Sequence, residues 1–108
     1  MEKIDKVWGW EEIIIKTPFY VMKYLCISAG KRLSLQYHRE KTETLLLLCG
    51  KVFYILGDDK GYLNKKLPLH IPAGIIHRLE AKRFSIVLEV STPQLDDVVR
   101  IEDDYGRV

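Results

Sequence analysis

The chain predicts an all-β architecture, a sandwich or a closed barrel of antiparallel strands, and three observations predict it. The apolar runs are short, glycine or proline punctuates almost every one of them, and no stretch sustains a helical period. Many short strands separated by such turns favour sheets that pack together or curl on themselves. With 108 residues there is room for one domain, residues 1–108, burying roughly 65% of the surface its unfolded chain would expose.

Taken in order, the expected strands are Glu11–Lys16, Tyr20–Ser28, Leu33–His38, Thr44–Leu48 and Val52–Leu56 in the first half. Tyr62–Leu67, Leu69–Ile71, Ile76–Ala81, Ser85–Val90 and Val99–Glu102 follow. Turns fall at Thr17-Pro18, Ala29-Gly30, Cys49-Gly50, Gly57 to Gly61 and Pro72-Ala73-Gly74. One helical turn is expected at Gln94–Val98, with Thr92 as its cap and Pro93 at its first position. There is no internal repeat, low-complexity segment or linker.

Composition excludes several classes of function. The 17 basic and 15 acidic residues leave a net charge of +2 without a long basic block, so neither nucleic acid nor membrane is the expected partner, and small anionic metabolites stay open. Runs such as Leu45–Cys49 are far shorter than the roughly 18 residues that span a bilayer. Met1–Lys16 mixes charges with apolar residues and does not read as a secretory signal, so a cytoplasmic protein is expected. Cys26 and Cys49 match no zinc or redox spacing and read as reduced core residues.

The residues that carry chemistry lie beside the turns. Side chains at i and i+2 of a strand share a face, so Gln36 and His38 point together and Leu33, Leu35 and Tyr37 form the opposite face. Glu43 opens the next strand after the charged connection Arg39-Glu40-Lys41, and a hairpin-like return brings its carboxylate back towards the imidazole. His77 follows the Pro72-Ala73-Gly74 turn, and a barrel closes its sequence distance from the other three. Two imidazoles, a carboxylate and an amide oxygen form a coherent donor set for zinc, iron, nickel or copper, and such a set leaves coordination positions open. The alternative for Gln36 and Glu43 is a buried hydrogen-bonded pair.

Glu89 is a charge inside the apolar run Val87 to Val90, either a general base facing the interior or an outward glutamate. Lys31, Arg32, Arg78 and Arg100 are the candidate phosphate ligands. Trp8, Trp10, Phe19, Tyr20, Tyr37, Phe53 and Tyr54 either stack on a sugar ring or fill the core and an interface.

Gly30, Gln36, His38, Glu43 and Gly50 fit the first cupin motif, G-x5-H-x-H-x4-E-x6-G, with Gln36 in the place of the first histidine. Pro72, Gly74 and His77 fit the second, although Lys66 and Ala81 replace its leading glycine and final asparagine. The chain thus resembles the cupins, and among them the mannose-6-phosphate isomerase domain of bifunctional guanylyltransferase/isomerase enzymes. Trp8 to Glu11, Gly30 to His38, Ile71 to Leu79, Glu89-Val90 and Val99 to Arg107 carry this likeness. Val7, Lys41, Thr44 and Leu45 depart from it, and the glycine-rich nucleotide-binding domain is not in this sequence.

The resemblance implies a short jelly-roll barrel of two antiparallel sheets. It also implies a divalent metal on Gln36, His38, Glu43 and His77, with zinc first among zinc, iron, manganese and nickel. The implied activity is interconversion of mannose 6-phosphate and fructose 6-phosphate in carbohydrate metabolism and polysaccharide biosynthesis. The metal would act as a Lewis acid, Glu89 as the base and Arg100 as the phosphate anchor, in a homodimer paired through sheet edges. Two alternatives stay open: a non-catalytic sugar- or sugar-nucleotide-binding cupin acting with a separate nucleotidyltransferase, and another metal-cupin enzyme such as an iron oxygenase.

Overall fold

The computed structural model describes residues 1–94 and 96–108, and among these there are nine strands and no helix. They are β1 Glu2–Lys6, β2 Gly9–Lys16, β3 Val21–Ile27, β4 Leu35–Tyr37, β5 Glu43–Leu56, β6 Asp59–Tyr62, β7 Leu69–Ile71, β8 His77–Ser91 and β9 Val99–Glu102. All pairings between them are antiparallel. β8 sits at the centre, pairing with β3, β4 and β5; β2 and β1 continue beyond β3, β9 lies beyond β4, and β6 and β7 flank β5. The sheet curls on itself as a jelly roll, the all-β architecture expected.

The curl originates in β5 and β8. Each was expected as two strands with a break, at Cys49-Gly50 and after Ala81, but each is one long strand that bends without ending. Register shifts between Leu47 and Val52 mark bulges, which bend a strand and raise its twist while the ladder continues. Gly50 has φ +95°, and a β-carbon there would lie 2.2 Å from Ser85 Oγ and 2.6 Å from the Phe84 carbonyl oxygen. Glycine is therefore required at the bend. The Ser85 hydroxyl accepts the Lys51 N–H at 2.9 Å and donates to the Arg83 carbonyl at 2.8 Å. Glycine at a strand bend reads as a turn in the sequence, which is why the continuity of β5 was missed.

Other boundaries moved as well. β1 was not expected, because its charged residues hide the strand; it pairs with β2 through the turn Val7-Trp8. The turn after β5 contains only Gly57 and Asp58, so β6 starts at Asp59 and not at Tyr62. The helical turn expected at Gln94–Val98 includes Leu95, which lies outside the described residues. The Thr92 hydroxyl accepts the Thr42 N–H at 3.0 Å.

The interior holds Trp8, Leu25, Ile27, Leu45, Leu47, Val52, Leu63, Ile71, Leu79, Ala81 and Val87. Trp8 thus serves the core, and Tyr54 packs against it, whereas Phe19 is 82% exposed. Both cysteines are free thiols; Cys26 is buried as expected, but Cys49 is only half-buried. Among the described residues no helix is long and apolar enough to cross a membrane.

Candidate metal centre

Gln36 lies at the centre of the three-residue strand β4, opposite His77 of β8 on one side and Arg100 of β9 on the other. Cross-strand neighbours share a face, so Arg100, Gln36 and His77 form one row. His38 follows two residues after Gln36 and turns its ring inward, buried. The Gly74 N–H donates to the His38 carbonyl at 2.7 Å, which ties the turn before His77 to the end of β4. Leu33, expected on the opposite face, instead lines the same cavity as Gln36, because regular strand begins only at Leu35.

Both imidazoles are fixed through Nδ1. His38 Nδ1 bonds the carbonyl of Asp97, and His77 Nδ1 bonds the carbonyl of Ile75 at 2.8 Å. A carbonyl only accepts, so each Nδ1 carries the proton and each Nε2 keeps its lone pair. Neither Nε2 has a hydrogen-bond partner among the described residues, although both are buried. Both face Glu43, at 3.8 Å from His38 Nε2 to Oε2 and 3.4 Å from His77 Nε2 to Oε1. The three donor atoms lie within 4.8 Å of one another. Donors held about 2.1 Å from one ion stand roughly 3–4 Å apart, so the cluster suits a divalent metal.

The electrostatics agree with this arrangement. Burial, with Lys41 and His77 nearby, lowers the His38 pKa against the pull of Glu43, which keeps the ring neutral. Burial opposes the charge of Glu43, yet its surroundings, with the Lys41 ammonium 3.2 Å away, outweigh it and hold its carboxyl well below the usual carboxylate range. Gln36 faces the same cavity, where its amide oxygen accepts the Ser34 hydroxyl at 3.2 Å. No hydrogen bond joins Gln36 to Glu43, so the paired alternative is not realised.

Behind Glu43 runs a chain of buried charges. Lys41 Nζ lies 3.2 Å from Glu43 and 3.5 Å from Glu89; Lys23 Nζ lies 3.6 Å from Glu89 and 3.1 Å from Glu11. Burial and the charge of Glu43 push the Glu89 carboxyl up to about 7, against Lys41 and Lys23. Glu89 faces the interior and lines the cavity, so the outward orientation is not the one found. The sequence reading missed Lys23, Lys41 and Glu11. Lys23 carried the signal that singled out Glu89, a charge within an apolar strand, and the two are direct cross-strand partners.

Asp97 was missed as well. Its carboxylate accepts the N–H groups of Arg39, Glu40 and Lys41 at 2.9, 2.7 and 2.9 Å, clamping the loop between His38 and Glu43. Those bonds lower its pKa to about 2. No local pattern marks an aspartate that acts on a loop more than fifty residues away.

The candidate phosphate ligands separate clearly. Arg32 is bound to Asp104 at 2.6 and 2.8 Å, and Arg78 is buried against the Leu33 carbonyl at 2.9 Å and against Glu102. Lys31 is exposed beside a turn. Arg100 alone of the four lines the cavity, and its Nε is buried without a hydrogen-bond partner among the described residues. The cavity has a volume of about 210 Å³, and Gln36, His38, Glu43, His77, Glu89 and Arg100 all contribute to its wall.

Known proteins place this fold in a lineage. The family described as "Mannose-6-phosphate isomerase C-terminal" matches residues 1–103. Xanthan biosynthesis protein XanB of Xanthomonas campestris is 31% identical over 97% of this chain, which covers 24% of that protein. A mannose-1-phosphate guanylyltransferase of Klebsiella pneumoniae is 28% identical over 97% of the chain and 23% of its own length. The alginate biosynthesis protein AlgA of Pseudomonas aeruginosa is 29% identical over the same shares. The chain therefore spans about a quarter of these relatives.

Solved structures extend the likeness in fold. KdgF from Halomonas sp. has a TM-score of 0.80 at 17% identity, covering 89% of each chain. An RmlC-like cupin from Shewanella frigidimarina has a TM-score of 0.80 at 12% identity, covering 88% of this chain and 86% of that one. The fold is thus a cupin, and by the extent of the sequence match the chain belongs to the mannose-6-phosphate isomerase C-terminal family.

Proposed function

We propose that this chain, as one cupin unit, is a metal-dependent sugar-phosphate isomerase that interconverts mannose 6-phosphate and fructose 6-phosphate. The observation that carries the proposal is the convergence of two buried, unpartnered Nε2 atoms on Glu43, in a cavity whose other walls present Glu89 and Arg100. His38, Glu43 and His77 would hold the metal with Gln36 beside them, and zinc suits this donor set, as do iron, manganese and nickel. When bound, a divalent ion supplies Lewis-acid polarisation of the sugar oxygens at the two reacting carbons.

The remaining roles fall to side chains. Glu89 takes a proton from one carbon and returns it to the adjacent carbon. The hydroxyl proton passes to the former carbonyl oxygen, so the atoms balance. A carboxyl raised to about 7 by burial is suited to accept and release a proton near neutrality. Lys41 and Lys23 hold it from both sides. Arg100 anchors the phosphate through a charge-assisted hydrogen bond, and the apolar walls at Leu25, Leu33 and Leu79 limit water.

A second reading is a sugar- or sugar-nucleotide-binding module working with a separate nucleotidyltransferase. It is favoured by the names of the relatives, guanylyltransferases that this chain covers for only about a quarter of their length. Solvent-deuterium exchange separates the two readings. Under metal-replete conditions the isomerase incorporates deuterium into both sugar phosphates; binding without exchange supports the module, and the absence of both removes the sugar-phosphate assignment.

A further inference from the structure

Isomerisation at two carbons occupies only part of the cavity, and one of the acids on its wall, Glu11, has no part in it. Glu11 of β2 and Lys23 of β3 both line the cavity with little of either side chain exposed, and Lys23 Nζ lies 3.1 Å from Glu11 Oε2. The register brings them together: Lys23 pairs with Glu89 across β3 and β8, and Glu11 pairs with Leu25, two places along from Lys23 and on the same face. The ammonium carries three donors, and Glu11 faces only one side of it. Glu89 stands 3.6 Å from Lys23, beyond hydrogen-bond length, and its Oε2 has no hydrogen-bond partner among the described residues.

The groups follow one another along this wall in the order Glu43, Lys41, Glu89, Lys23, Glu11, each lysine between two carboxylates. The candidate metal and base stand at one end of the row. Glu11 stands at the other, opposite Ile4 of β1. The facing wall belongs to the other end of β8, where His77 aligns with Gln36 and Arg100. An ion pair among apolar neighbours such as Leu25 and Ile13 adds little stability over hydrophobic side chains of the same volume. A ligand rich in hydroxyl groups, by contrast, uses both of its members.

We propose that Glu11 and Lys23 form a diol subsite that selects sugars by the configuration of carbons 3 and 4, Lys23 donating to the 3-hydroxyl and Glu11 accepting from the 4-hydroxyl. The subsite rests on the sugar-phosphate reading of the cavity and supplies the part of the substrate which that reading leaves unrecognised. With the reacting carbons between the metal ligands and Glu89, and the phosphate at Arg100, the next two carbons lie beside Lys23 and then Glu11. The order of groups on the wall is thus the order of atoms in the substrate. Adjacent hydroxyl oxygens of a sugar stand about as far apart as the Lys23 and Glu11 atoms, so one donor and one acceptor meet them together. Both side chains are charged, and such hydrogen bonds are roughly twice as strong as neutral ones. Inverting carbon 4 turns its hydroxyl away and leaves the carboxylate against a carbon-bound hydrogen. Metal and base act at carbons 1 and 2 in either epimer, so discrimination between epimers falls to this pair.

Binding of an unreactive ligand tests the subsite apart from catalysis. Mannitol 6-phosphate keeps the 3,4-diol and the phosphate but has no carbonyl to isomerise, and its 4-deoxy counterpart lacks one hydroxyl. Calorimetry on the metal-replete wild type is expected to show the deoxy compound binding about 10–100-fold more weakly, the effect of one hydrogen bond to a charged group. Glu11→Leu should weaken mannitol 6-phosphate by the same factor and abolish the difference between the two ligands, whereas a role in folding alone weakens both equally. The wild-type comparison needs no variant and holds even where Glu11→Leu fails to fold. Solvent-deuterium exchange into mannose 6-phosphate on the same sample reports the isomerase reading separately. Exchange without a deoxy penalty overturns the subsite and leaves the isomerase; a penalty without exchange supports the subsite within a binding module. Equal binding of the two polyol phosphates, no binding of either, or an undiminished preference in Glu11→Leu would overturn the proposal.

Discussion

At the scale of single residues, the site depends on side chains that orient other side chains. The Asp97 carbonyl fixes the His38 ring and the Asp97 carboxylate fixes the loop leading to Glu43, so one residue sets two candidate ligands. Asp97→Ala leaves three N–H groups without their acceptor and is expected to weaken metal binding about 10–100-fold, the usual effect of losing a group that orients ligands. Titration with a chromogenic chelator measures it. His38→Ala and His77→Ala should each lower metal occupancy in elemental analysis, and full occupancy in both would show the ligand assignment to be wrong. That Gln36, His38, Glu43 and His77 would face one cavity was legible because a strand alternates and the motif spacing is fixed. Asp97 was not, since its role depends on tertiary contact alone.

At the scale of elements, bulges and cross-strand pairs decide stability. Gly50→Ala puts a β-carbon against the backbone of Phe84 and Ser85 at a positive φ, and is expected to cost about 1–3 kcal/mol in urea unfolding. Lys23→Met removes the cation between Glu11 and Glu89, and a broken buried pair typically costs about 3–5 kcal/mol. Adding Glu89→Gln should recover part of that loss, because it removes a buried carboxylate that has lost one of its two cationic neighbours. The C-terminal turn responds to acid. Arg107 bonds Asp103 through its backbone N–H at 2.8 Å and its guanidinium at 2.9 Å, and these bonds lower the Asp103 pKa from 3.8 to about 2. A depressed carboxylate pKa stabilises the fold above the unfolded value of 3.8, and the contribution fades as the pH falls through about 2. Hydrogen exchange at the Arg107 amide should accelerate over that interval. Most strand centres were readable from turn residues and apolar alternation. The continuity of β5 was not, because glycine at a bulge and glycine at a turn look alike until the partner strand is in place; that of β8 was hidden by Lys82-Arg83, two charges that interrupt its apolar run.

At the scale of the whole molecule, one face of the strands closes around a polar cavity. The cavity side couples metal to stability: an ion that binds only the folded chain stabilises it by about 2.7 kcal/mol when present at 100 times its dissociation constant. Adding a chelator should therefore lower the melting temperature of the metal-loaded protein by several degrees, and His77→Ala should abolish the difference. The sequence did not reveal which face would line that cavity, since period-two alternation labels two faces without saying which one closes on itself.

The central place of β8 in the sheet also imposes an order of assembly. A chain that emerges from its N-terminus first can form β1-β2-β3, and then β5 with β6 and β7, but these ribbons share no pairing until β8 joins them. Until then β3 and β5 expose long unpaired edges, the condition under which nascent sheets stick to one another. His77 and Glu89 both lie on β8, and β4 pairs only with β8 and β9. The donor set is therefore completed by the same event that buries those edges, so an ion that needs all three ligands is captured only by a chain that has passed its most aggregation-prone stage.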